Sequence, residues 1–186
     1  MAEKKYRICI DAGHQGAGNG YDPGAVNGKY YEAVAALAIA KKVGAKLKAK
    51  GYEVKYTRTG DKKLTLGERC KISNNFDADI FVSIHLNAAT NKSASGIETL
   101  RYPKVGQRTK DLANNVQTEL IAALGWKDRG VKERSDLYVL KHTVASAVLV
   151  ECGFISNDAE CKKLFNSTYQ NKIATAITKG VHNTLK

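Results

Sequence analysis

Residues 81–88 read FVSIHLNA, an apolar run of aromatic and β-branched residues that ends abruptly in His85 and Asn87. Following the polar NNFDAD of residues 74–79, Phe81, Val82 and Ile84 predict a core strand. A buried strand that closes on an imidazole and an amide either satisfies its own polar end or delivers those groups to a site.

Working outward, similar runs occur at YRICI (6–10), YEVKY (52–56), GIETLRY (96–102), LYVL (137–140) and AVLVE (147–151). Segments with helical spacing lie between most of them. Val34, Leu37, Ala40, Val43 and Leu47 form one stripe, with Lys41, Lys42, Lys46, Lys48 and Lys50 largely off it and Gly51 ending the helix. Leu112, Val116, Leu120 and Leu124 repeat every fourth residue before Gly125, and Ile173, Ile177, Val181 and Leu185 do the same near the end. The alternation predicts an α/β fold: a mostly parallel twisted sheet of about six strands, flanked by helices on both faces. With only two prolines, no repeat and no linker-like tract, residues 1–186 read as a single domain.

A chain of 186 residues that is 43% hydrophobic can bury a core without staples. Its four cysteines, Cys9, Cys70, Cys152 and Cys161, show no paired spacing, which excludes a zinc ribbon. Lys and Arg number 30 against 18 acids, a net charge of +12, so a polyanionic partner is expected. The start MAEKKYRICIDAGHQG lacks the apolar core of a signal peptide, and the longest apolar run, AVAALAIA at 33–40, is too short to span a bilayer. The expectation is a protein with no membrane span that stays cytoplasmic until released, or else the catalytic part of a longer chain.

Ligands of open α/β sheets bind beyond the carboxyl ends of the strands, so polar residues just past apolar runs are the ones to collect. IDAGHQG places His14 in a glycine-rich loop, SIHLNA places His85 and Asn87 at the same edge if the strands are parallel, and VLVECGF places Glu151 after a fully apolar run. Glu32 sits in the first turn of the first helix. Alone, His14 reads as a loop histidine and Glu32 as a favourable charge at a helix start. Glu151 is harder to dismiss, because a carboxylate ending a buried strand needs a distant partner or a metal. Two histidines and a carboxylate with an open fourth position suit a catalytic zinc, and a second carboxylate beside them can take a water's proton. His142 and His182 read as structural or surface residues, Asp11 as a strand-end hydrogen-bonder, and Asp22, before Pro23 and Gly24, as a turn former.

With those residues laid out, the chain closely resembles the zinc-dependent N-acetylmuramoyl-L-alanine amidases of the Amidase_3 family, cell-wall hydrolases of bacteria and phage endolysins. The match runs in order through DAGHQG, DPGA, Glu32, TRTGD, LGERCKISNNFDADIFVSIHLNA, GIETLRY, DRGVK, LYVL and VLVECGFISN. The resemblance implies one Zn2+ ion held by His14, Glu32 and His85, with Glu151 as the catalytic carboxylate. It further implies hydrolysis of the amide between N-acetylmuramic acid and L-alanine in peptidoglycan, with the protein acting on the bacterial cell wall. One departure is QGAGNGY (15–21), inserted before DPGA, which alters one rim of the cleft. Asn87 and the segment from DRGVK to LYVL are candidates to line the peptide groove. The basic surface suits anionic wall polymers. No nucleic-acid partner is expected, since stacking aromatics interleaved with Lys and Arg on a strand face are not evident. A zinc peptidase cutting within the stem peptide and an inactive wall-binding module are the rival readings.

Overall fold

A computed structural model describes residues 5–186; the part of the signal-peptide reading that rests on residues 1–4 lies outside them. The strands are Arg7–Ala12 (β1), Val26–Asn27 (β2), Tyr30–Tyr31 (β3), Glu53–Tyr56 (β4), Ile80–Asn87 (β5), Ile97–Arg101 (β6), Asp128–Glu133 (β7) and Ser146–Phe154 (β8). The helices are Glu32–Ala49 (α1), Leu66–Asn75 (α2), Gln107–Leu124 (α3), Tyr138–His142 (α4), Asp158–Leu164 (α5) and Ser167–Leu185 (α6).

Six strands form one sheet in the order β4-β1-β5-β8-β6-β7, while β2 and β3 make a small separate hairpin. Neighbours in the large sheet are parallel except β6 against β8. The exception has a physical cause: residues 88–96 hold no helix, and so short a connection reverses the chain rather than crossing over. The mostly parallel sheet expected from the sequence is therefore present.

Strand alternation separates two cores. Ile8, Ile10, Val82, Ile84, Val148 and Val150 join the larger cluster with α1, α3, α5 and α6. Cys9, Phe81, Ala147 and Leu149 join a smaller one with residues of α2 and α4. On that second face, apolar cover ends at Leu149. The polar positions beyond it, His85, Asn87 and Glu151, continue along the same side of β5 and β8.

Two sequence expectations are corrected. LYVL is not a strand: Tyr138–His142 is a short helix that buries Val139 and Leu140, and a four-residue apolar run cannot by itself distinguish strand from helix. The sixth strand is instead Asp128–Glu133, mostly charged, which an edge position tolerates because one side meets water. The stripe of α1 stands in its second half, where Ala40, Val43 and Leu47 are buried, and is rotated only at the helix start. Val34 is 43% exposed and Leu37 only partly buried, while Ala33, Ala35, Ala36 and Ile39 are buried. Small alanines let the helix approach the sheet closely. The stripes of α3 and α6 stand as read, with Leu112, Val116, Leu120, Ile173, Ile177 and Val181 buried, and Gly125 closing α3 in the left-handed conformation that glycine favours.

Candidate active site

Three elements converge on one point at the carboxyl edge of the sheet. His14 follows β1 in the left-handed region (φ 61°), Glu32 is the first residue of α1, and His85 lies near the end of β5. One donor atom from each lies within 4.8 Å of the others, a group that could hold a metal ion. Glu32 links them: Oε2 accepts from His14 Nε2 at 3.0 Å and Oε1 from His85 Nδ1 at 3.0 Å. Its carboxylate also accepts from the backbone N–H groups of Leu86 and Ala25.

These contacts set the charges. Burial pushes Glu32 up, but hydrogen bonds from His14 and His85 win and hold it well below the usual carboxylate range. Burial pulls His14 down, yet the hydrogen bonds and charges of Glu32 and Asp22 raise it to about 9. Asp22 Oδ2 accepts from His14 Nδ1 at 2.8 Å, leaving Nε2 aimed at Glu32. Asp22 also forms the turn expected of it, accepting from the Gly24 N–H.

The cradle leaves no room for side chains at two glycines. A Cβ on Gly13 would lie 2.5 Å from His85 Cε1, and one on Gly24 would lie 2.5 Å from His14 Cδ2 and 2.6 Å from Glu32 Oε2. Gly24 also has φ +69°, so its lack of a side chain is required twice.

Glu151 stands opposite His85 in the β5–β8 register. The residue is partly exposed, but its Oε2 is buried without a hydrogen-bond partner among the described residues. Burial above all, with Glu32 and Glu98 adding to it against the pull of the two histidines, raises its carboxyl to about 7. Asn87 is engaged at both ends of its amide: Nδ2 donates to Glu98 Oε1 at 3.0 Å and Oδ1 accepts from the Ala88 N–H.

Beneath the His14 loop lies a polar network that the sequence reading did not single out. Arg58 donates to the carbonyls of Ala12, Gly13 and Ala33. Arg69 pairs with Asp11 at 2.7 Å and donates to the carbonyls of Ala12 and His14. Both guanidinium groups are almost fully buried. Asp11 therefore acts across elements rather than within its own loop, also accepting from Thr57 and Ser83. The inserted segment 15–21 folds back on Asp22, whose carbonyl accepts from the N–H groups of Gln15 and Gly16. His142 stacks on Tyr138 and His182 bonds Tyr52, and neither belongs to the His14–Glu32–His85 group.

A family model described as N-acetylmuramoyl-L-alanine amidase matches residues 8–183. The chain is 41% identical over 175 residues to the protein YqiI of Bacillus subtilis, covering 94% of this chain and 82% of that one. It is 39% identical over 175 residues to the N-acetylmuramoyl-L-alanine amidase LytC of the same organism, covering 93% of this chain but only 34% of LytC. Among solved structures, an N-acetylmuramoyl-L-alanine amidase from Clostridium difficile 630 superposes with a TM-score of 0.92 at 37% identity, covering 98% of each chain.

Proposed function

Because this chain belongs to the N-acetylmuramoyl-L-alanine amidase family, we propose that it hydrolyses the amide between N-acetylmuramic acid and L-alanine in peptidoglycan, using one zinc ion held by His14, Glu32 and His85. Residues 1–186 act in this reading as one catalytic unit. The donor set fits the ion: two imidazoles and a carboxylate are ordinary zinc ligands, and three protein ligands leave a position open for chemistry. When bound, zinc supplies Lewis-acid polarisation of the scissile carbonyl and acidifies a water.

The observation that carries the reading is the partnerless, buried Oε2 of Glu151 beside that cluster. An orphaned buried carboxylate oxygen is costly unless something not yet present completes it. A carboxyl lifted to about 7 can take a proton from the attacking water and return one to the leaving amine. Asp22 holds the Nδ1 proton of His14 and so keeps Nε2 as the ligand atom. Arg58 and Arg69 hold the carbonyls of the loop that presents His14. Asn87, held by Glu98 through Nδ2, is assigned to the peptide side of the floor.

Peptidoglycan is the substrate and the cell wall the place of action. No helix among the described residues is long and apolar enough to cross a membrane. The basic surface serves attraction to anionic wall polymers.

The test is mass spectrometry of purified peptidoglycan digested by the zinc-loaded protein, with a chelated sample beside it. Free stem peptides beginning at L-alanine, lost on chelation, are expected. Fragments cut within the peptide would move the assignment to a zinc peptidase, and no fragments would leave a binding module.

A further inference from the structure

The floor of the site continues past Glu151. Glu98 on β6 stands opposite Glu151 in the antiparallel register, and its Oε2 accepts from Arg129 Nε and Lys132 Nζ of β7, each at 2.7 Å. Two cations on one carboxylate leave a surplus positive charge. Arg129 is fixed further by lying over the Phe154 ring at 4.9 Å, and it uses only Nε toward Glu98. The side chains of Arg129 and Lys132 are 27% and 44% exposed, so an incoming anion can reach both. The opposite flank differs. There the groove beside His14 and His85 is lined by Leu64, Leu137 and Tyr138, with the acids Asp22 and Asp136.

We propose that Arg129 and Lys132, aligned by Glu98, form a subsite for a free carboxylate on the stem peptide, one or two residues beyond the scissile amide. The proposal rests on the amidase reading above and adds to it the direction of the bound peptide and a preference for an acidic stem. Direction follows from charge: Asp136 is paired with Arg134 and Asp22 with His14, so that flank offers an anion no surplus cation, whereas two cations on Glu98 draw an anionic peptide across β6 toward β7. Reach agrees, since β7 lies two strand spacings, roughly 10 Å, from β8, while an extended residue covers about 3.3–3.6 Å before the long Arg and Lys side chains are counted. Glu98 serves as the aligner, because a carboxylate between two cations fixes both heads before substrate arrives.

The experiment compares kcat/KM of the zinc-loaded protein on two muropeptides that differ at one group, N-acetylmuramoyl-L-alanyl-D-glutamate with its γ-carboxyl capped as the methylamide, which keeps a free α-carboxylate, and the same compound with the α-carboxylate converted to the amide. The acid should be favoured about tenfold, the effect of one charge-assisted contact. Lys132→Met, a change at a half-exposed residue, should cut that preference. Arg129→Lys, which keeps the charge, should retain most of it. Equal cleavage of acid and amide by the unaltered protein overturns the carboxylate subsite and leaves the amidase reading standing. Cleavage of neither, with zinc bound, overturns both.

Discussion

Glu151 and Glu98 face each other across the β8–β6 ladder, yet their carboxyls are driven in opposite directions. Burial raises Glu151 to about 7, and its Oε2 has no partner among the described residues to counter that. Burial pushes Glu98 up as well, but hydrogen bonds from Lys132 and Arg129 win and hold it below the usual range. Two carboxylates one strand apart are thus shifted in opposite directions, one lifted toward neutral pH and one held as an anion, the separation that acid–base chemistry would need.

The first prediction follows from that division. Glu151→Gln keeps the shape of the side chain and removes its ability to carry a proton. Turnover should fall by roughly 10²–10⁴-fold, the usual contribution of a general base. Elemental analysis should still find one zinc per chain. Loss of the metal would make Glu151 a ligand and upset the assignment.

Asp22 should matter through His14. In the metal-free protein His14 is raised to about 9, so its pairing with Glu32 stabilises fully below the unfolded value of about 6.5 and is lost as pH rises through about 9. Zinc must displace the Nε2 proton, so binding should release a proton and tighten as pH rises toward 9. Asp22→Ala frees the ring to turn and should weaken zinc about 10–100-fold, as is usual for the partner of a ligating histidine. Competition with a chromogenic chelator from pH 6 to 9 reads both effects. Unchanged affinity would reduce Asp22 to a turn former.

Much of this centre was legible because it sits where strands end. His85 and Glu151 each follow an apolar run, and His14 a glycine-rich turn, so sheet topology alone brings them to one edge. The paired role of Asp22 was not legible: an acid before Pro-Gly reads as a turn, and it is one, accepting from Gly24 while also holding His14. Arg58 and Arg69 were hidden for a different reason, since most of their partners are backbone carbonyls, which no side-chain pattern reports, and the one carboxylate, Asp11 against Arg69, is distant in sequence. The edge strand Asp128–Glu133 carries no apolar alternation to detect. Helix α2 did carry a signal, the capping box of Thr65 and Glu68, which lies in the sequence as T-x-x-E ahead of a mixed, weakly periodic run.

The buried pair beneath the loop predicts acid sensitivity. Burial pushes Asp11 up, but Arg69, with hydrogen bonds from Ser83 and Thr57, holds it below its ordinary value. A depressed carboxylate contributes stability above the unfolded pKa of about 3.9, and that stability is lost as pH falls through the folded value. Asp11→Asn should cost about 3–5 kcal/mol at neutral pH, because Arg69 is left buried without its counter-charge. Its urea midpoint should also respond less to pH below 4 than that of the unaltered protein. Parallel acid limbs in the two proteins would place the sensitivity elsewhere.

The surplus of basic residues can be tested apart from the chemistry. Lys41 and Lys48 on α1 and Lys50 just past its end are exposed, and the first residue of that helix, Glu32, belongs to the site. At 1.5 Å per residue they stand roughly 13 Å or more along the helix from it. That is beyond the Debye length of about 10 Å at 0.1 M salt. Replacing all three by Gln should weaken co-sedimentation with purified walls at low salt while leaving cleavage of a small soluble muropeptide unchanged. High salt should bring the unaltered protein down to the level of the variant, because attraction between exposed charges is screened. Sedimentation that ignores both salt and substitution would mark these lysines as a solvated helix face with no wall polymer bound to it.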